Sequence, residues 1–230
     1  MRRDTSAFLA WLKQRHIATG INAPRPKCGL PQRFVDQDDH EEQLRRCLTD
    51  DSLPLDVRIV GALVRLYAMP LVRIVELTTD RFHRDETDAY LVIDENAVIL
   101  PPSLATLIEE QIRNGGLANI IRTPTPDQPT YLLPGRPPSR PRNTQTFSLR
   151  LKQYGLPTIG ARNTAMLTNI IDLDAVVVAD LLGLHPKTAH RWAQYAQTSW
   201  AAYLQAREPE DIDTTIRPGS SPDLSELLKE

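Results

Sequence analysis

The sequence predicts a mainly α-helical fold with one small antiparallel β-hairpin or sheet and, towards its C-terminal end, a helix-turn-helix-like pair. Three observations predict it. Most of the chain repeats apolar residues at three- and four-residue spacing, the period of a helix with one buried face. Residues 80–101 switch instead to short β-branched apolar runs. Gly183, Leu184, His185 and Pro186 then separate two helical patterns at the spacing of a tight turn.

Taken in order, residues 5–16 read as an amphipathic helix. Thr5 or Ser6 caps it, and Phe8, Leu9, Trp11 and Leu12 form its apolar stripe. Residues 20–34, rich in proline and glycine, read as a linker. Asp38 or Asp39 caps a helix running to Leu48. Residues 52–69 make a strong helix with Ile59, Ala62, Leu63, Leu66 and Tyr67 on one face; Pro70 breaks it, and 71–78 continue as a second short helix. The runs AYLVID and AVILP, meeting at Asp94, Glu95 and Asn96, read as a hairpin or two short strands. Ser103 caps a helix that Gly115-Gly116 should stop near Asn114. Prolines 124, 126, 129, 134, 137, 138 and 141 exclude a helix over 122–142. Helices follow at about 144–154, 160–171, 174–182, 186–196 and 199–206, before a proline- and acid-rich tail that reads as disordered. The expected organisation is an N-terminal helix within 1–20, a linker over 21–39, one domain over 40–207 and a tail over 208–230.

Composition narrows the function. At 230 residues, 41% apolar and 24% charged, the chain can bury a core of its own. No run approaches the roughly 20 apolar residues of a membrane span, and the N-terminus lacks a secretory pattern, so a cytoplasmic location without a membrane partner is expected. Cys28 and Cys47 make neither a disulfide framework nor a CxxC pair, and the five histidines are scattered, so no metal and no cofactor are expected. Net charge is −2, but it is segregated. From Ile121 to Arg207 there are ten basic residues against four acidic ones; from Glu208 onward there are seven acidic against two basic. A polyanion-binding stretch thus precedes an acidic tail.

The most specific local signal is VVVADLLGLHPKTAHRWAQYA, residues 176–196. Ala179 is small enough for a second helix to approach, and Gly183 supplies a positive φ at the turn. Pro186 suits the first turn of the second helix, where its missing N–H costs nothing. Leu184, Ala189 and Trp192 are spaced to face inward. Lys187, Thr188, His190, Arg191 and Gln194 then face out, as cationic or hydrogen-bonding groups suited to phosphates and base edges.

Around this motif the order of segments resembles the catalytic domain of the tyrosine recombinases, the phage-integrase family. LYAMPLVRIVELTTDRF (66–82) resembles the segment bearing that family's first active-site arginine, with Arg73 ahead of Glu76 and Leu77. AYLVIDENAVILPPSLATLI resembles its small sheet and following helix, LLPGRPPSRPRNTQTFSLRLKQYGL (132–156) its Leu-Phe-Pro connection, and IGARNTAMLTNI (159–170) its His-x-x-Arg helix. VADLLGLH (178–185) resembles its Leu-Leu-Gly-His stretch. The likeness covers residues 40–206, and the helix at 5–16 resembles the last helix of the family's DNA-clamping domain. It implies a recombinase-type fold, double-stranded DNA as partner, and a C-terminal helix through which copies of the chain associate.

The same comparison implies lost chemistry. The family's strand transfer needs a tyrosine nucleophile, a lysine general acid, and arginines and histidines that stabilise the transition state. Arg73 and Arg162 stand at the arginine positions, but Ile159 stands at the first histidine, Leu184 at the second, and Trp192 at the tyrosine. No lysine lies between Arg81 and Pro101. The resulting expectation is a non-catalytic DNA-binding protein, a regulator or recombination accessory factor. Its contacts would come from Arg73, Arg140, Arg142, Arg150, Lys152, Arg162, Lys187, Thr188, His190, Arg191 and Gln194. Two alternatives stand beside it: an active recombinase using Arg73, Arg162, His185 and Tyr195, and a protein-interaction module without a nucleic-acid role.

Overall fold

The computed structural model describes residues 31–118 and 130–207, with Trp11, Leu12, Gln14 and Arg15; side chains are described as far as Gly115 in the first segment and Thr198 in the second. Most of the helix expected over 5–16, most of the 20–34 linker and the tail from Glu208 lie outside the described residues.

The fold is organised around one helix. Following α1 (Gln37–Thr49), helix α2 (Leu55–Tyr67) runs LDVRIVGALVRLY, apolar on nearly every side, and every residue from Asp56 to Arg65 is buried. A helix without a polar face must be covered all round, and here α1, α4 (Pro102–Ala118) and α6 (Thr158–Asp172) cover it. Gly61 lets α1 close onto it: a Cβ there would sit 2.4 Å from the Cys47 sulfur. The two buried arginines of α2 are held by backbone carbonyls together with one side chain each. Arg58 donates to the Cys47 and Leu48 carbonyls and pairs with Asp51, closing the C-terminal end of α1. Arg65 donates to the Gly61 carbonyl and to Gln43 Oε1.

Ala68, at φ 49°, turns the chain from α2 into the short α3 (Leu71–Val75). Beyond it lies an antiparallel sheet in the order β1 (Phe82–Arg84), β2 (Ala89–Val92), β3 (Ala97–Leu100), with Leu91 opposite both Phe82 and Val98. Ala89, Leu91, Val98 and Leu100 point inward and Ile99 outward, the two-residue alternation of a half-covered sheet. The described part of the proline-rich connection is non-helical and tied down: the Leu132 N–H donates to the Leu77 carbonyl, and Leu132 and Leu133 are buried. It leads through α5 (Thr144–Gln153) and α6 to α7 (Ala175–Leu181) and α8 (Pro186–Arg207).

Expected elements and observed ones differ in six places, one of which is Ser103: it lies inside α4 rather than capping it, because that helix already begins at Pro102. The helix expected to stop before Gly115-Gly116 runs on to Ala118; nothing lies within 4 Å of the Cβ position at Gly115, and a glycine costs a helix only about 1 kcal/mol. The two helices expected over 186–196 and 199–206 are one helix. Asp36, not Asp38 or Asp39, caps α1, its extended backbone letting its carboxylate accept from the Asp38 N–H. The short helix expected over 71–78 ends at Val75. Strand β1 was not expected from its three polar-flanked residues. Among the described residues no helix is long and apolar enough to cross a membrane, and no group of His, Cys, Asp and Glu is disposed to hold a metal ion.

Candidate nucleic-acid interface

Helices α7 and α8 form the expected pair. Asp174 caps α7, accepting from the Val176 N–H at 2.7 Å. Its other end closes as a Schellman motif: the Leu184 N–H reaches the Ala179 carbonyl at 2.7 Å and the Gly183 N–H reaches the Asp180 carbonyl at 3.3 Å. Gly183 has φ 58°, the positive value the sequence reading required. His185 then caps α8, its Nδ1 accepting from the Lys187 N–H at 3.2 Å, and Pro186 is the first helical residue.

Ala179 and Ala189 are buried, and Leu184 and Trp192 pack against the core. Lys187, Thr188, His190, Arg191 and Gln194 are all exposed. Positions 187, 190, 191 and 194 recur at helical spacing, so four of these side chains share one outer stripe of α8.

Arg73 and Arg162 come together beside this pair. Arg73, on α3, sends Nη1 to the Leu182 carbonyl at 3.0 Å and Nη2 to the Gly183 carbonyl at 2.9 Å. It therefore grips the α7–α8 turn rather than pairing with Glu76. Arg162, on α6, donates Nε to the Ala68 carbonyl at 2.8 Å. Burial, and then the charge of Arg73, lower its affinity for its proton. No carboxylate among the described residues forms an ion pair with either arginine. Arg162 also lines an open cleft of about 340 Å³ shared by Met69, Thr144, Gln145, Ser148 and Ile159. This cleft combines one cation, several hydroxyl and amide groups, and an apolar wall.

The remaining basic residues separate into two kinds. Arg142 and Arg150 both donate to Oδ2 of Asp56, a carboxylate only 12% exposed at the start of α2. These two serve a buried ion cluster. Arg140 and Lys152 are exposed, away from any ion pair among the described residues.

Tyr195 is half-buried. Its ring stacks on Phe34 at 5.6 Å and meets Trp192 edge-on at 6.2 Å. Phe34 belongs to the extended segment 31–36, which α6 holds through hydrogen bonds from Asn163 to the Arg33 carbonyl and between Thr164 and both backbone groups of Val35. Sequence reasoning missed this anchoring role, and also missed Asn96. Asn96, at the end of the hairpin turn, donates to the Asp180 carbonyl at 3.2 Å, while Asp94 packs against Gly183. The only signal available was an Asp-Glu-Asn turn, which hairpins use for local reasons alone.

The architecture can now be compared with known structures. The chain has the fold of a tyrosine-recombinase catalytic domain. It is similar to XerA recombinase (TM-score 0.52, 13% identity, 82% of this chain and 68% of that one). It is likewise similar to the XerH site-specific recombinase bound to palindromic difH substrate in a post-cleavage complex (TM-score 0.56, 14% identity, 83% and 57%). A pre-cleavage complex of XerH with difH substrate gives TM-score 0.51 at 16% identity, over 76% and 53%. The chain thus spans a little over half of the XerH chains. No protein-family model and no curated protein sequence matches it. Within this fold Arg73 and Arg162 lie near enough for the charge of one to act on the other, Asp94 and Glu95 occupy the hairpin turn, and Trp192 packs against the core.

Proposed function

We propose that this chain is a non-catalytic DNA-binding protein on a tyrosine-recombinase scaffold, a regulator or recombination accessory factor acting on duplex DNA in the cytoplasm. The observation that carries the reading is the outer stripe of α8: Lys187, His190, Arg191 and Gln194 on one exposed face, with Thr188 beside them. That helix starts at a capped, rigid turn, as a groove-reading helix must. The Arg162 cleft adds a cation with no carboxylate partner among the described residues, suited to one backbone phosphate.

Catalysis is the part of the family's chemistry this chain gives up. The hairpin turn offers carboxylates where a general acid would stand, and Trp192 has no nucleophilic atom. Tyr195, the nearest phenol, is committed to the Phe34 stack. Losing a general acid alone costs about 10²–10⁴-fold in rate, and strand exchange without a covalent intermediate does not occur.

The test is fluorescence anisotropy with mixed-sequence duplex over a salt series. Binding should weaken steeply with salt, and Lys187→Gln and Arg191→Gln should each lower the salt slope by about 1. Absence of binding at low salt refutes the reading and leaves a protein-interaction module. Incubation with nicked duplex should trap no covalent adduct; an adduct that disappears in Tyr195→Phe would establish an active recombinase instead.

A further inference from the structure

Arg73 is the side chain that ties the recognition pair to the rest of the molecule. Its two Nη atoms span the carbonyls of Leu182 and Gly183, 109 and 110 residues away in sequence. These carbonyls lie at the C-terminal end of α7, where helix carbonyls lack partners and the macrodipole is negative, so a guanidinium is the matching group. The hairpin closes the same turn from another side. Asn96 donates to the Asp180 carbonyl, and a Cβ placed on Gly183 would meet Asp94 at 2.6 Å and Arg73 Nη1 at 2.7 Å. Turn, hairpin and α3 are therefore packed without room for slack.

We propose that Arg73 is a positioning residue: with Asn96 it clamps the α7–α8 turn to α3 and the sheet, and so sets the pose in which α8 meets its partner. Its role is not that of a phosphate ligand. The inference rests on the DNA-binding reading for its consequence, but the clamp itself concerns the free protein. Two carbonyls 3 Å from a planar fork need both Nη atoms at once; a lysine, with one ammonium on a flexible stem, cannot span them in that way. A phosphate contact behaves oppositely, because lysine retains the charge.

The experiment compares wild type with Arg73→Gln, Arg73→Lys and Asn96→Ala. Amide hydrogen exchange in the DNA-free protein is read at Gly183, Leu184, Thr188 and Ala189, whose N–H groups are bonded within the turn and first helical turn. Duplex affinity is read across salt. Both Arg73 variants should exchange faster at these amides by roughly tenfold or more, the size of losing a hydrogen bond from a charged donor, with α2 still protected. Both should bind duplex more weakly with an unchanged salt slope, and Asn96→Ala should move the same amides less. The proposal is overturned by unaltered exchange, by recovery of affinity in Arg73→Lys, or by a salt slope that falls by about 1 in Arg73→Gln. If an Arg73 variant also loses protection in α2, Asn96→Ala decides, and unchanged turn amides in it refute the clamp. If the wild type binds no duplex, the DNA-binding reading fails while the exchange data still decide whether Arg73 holds the turn.

Discussion

Replacing Asp56 with asparagine keeps the shape of the side chain and removes its charge. One carboxylate oxygen, Oδ2, receives both Arg142 and Arg150, and Oδ1 accepts from the Val57 N–H at 2.9 Å in the first turn of α2. The asparagine amide can satisfy only part of this, and its NH₂ group opposes a guanidinium if it points the same way. Breaking a buried pair from one side costs about 3–5 kcal/mol. The arginines are 32% and 37% exposed, so water takes up part of their lost partner and the lower end applies. A carboxylate near a helix N-terminus adds about 0.3–1 kcal/mol to what is lost. Asp56→Asn should therefore destabilise the fold by about 3 kcal/mol, or roughly 6–12 °C in Tm for a chain of this size. Urea unfolding followed by circular dichroism gives the free energy directly. A double-mutant cycle with Arg150→Gln should show a coupling of about 1 kcal/mol or more. A loss below about 0.5 kcal/mol, with no coupling, would mean the cluster is solvated like a surface pair and would refute the argument that it anchors α5 to α2.

Two further outcomes follow from particular residues. Gly183→Ala places a side chain at φ 58° and within 2.6 Å of Asp94, so it should cost about 1–3 kcal/mol by thermal unfolding and weaken duplex binding; wild-type stability in this variant would contradict the close packing of the turn. His40 is buried with Nε2 against the Arg65 carbonyl, and burial above all lowers its pKa below 6.5. The neutral ring is thus the folded form, the unfolded chain binds the proton more readily, and stability present above pH 6.5 is lost as pH falls towards the lower folded-state value. The fall in urea midpoint between pH 7.5 and 5 should be smaller in His40→Gln than in wild type, and equal falls would show that His40 does not contribute.

The helix pair was legible in the sequence because its constraints are local. A positive φ needs Gly183, a first turn tolerates Pro186, and a close crossing needs Ala179 and Ala189; each of these can be read within a few residues. The roles of the arginines were not legible, because they depend on what lies 86 to 110 residues away. Arg142 and Arg150 were counted towards a polyanion face, yet Asp56 takes them, and nothing in the local pattern around 142 or 150 announces a carboxylate on α2. Arg73 reads from the sequence as a DNA-contacting residue, yet it holds two carbonyls of a turn. Helix ends were misplaced for a different reason: Gly115-Gly116 weakens a helix without forbidding one, and packing along α4 outweighs so small a cost.

The long reach of Arg73 also orders events in time. At about 5–20 residues per second, the 110 residues separating it from Gly183 take roughly 5–20 s to synthesise. Throughout that interval α2 and the sheet can form, but Arg73 has no carbonyl to hold. The tie from Arg162 back to Ala68 spans 94 residues and that from Thr164 to Val35 spans 129, so both wait as well. The ties between distant parts of the chain are thus the last to close during synthesis, and a chain truncated before Leu182 would leave the Arg73 guanidinium without the two carbonyls it holds.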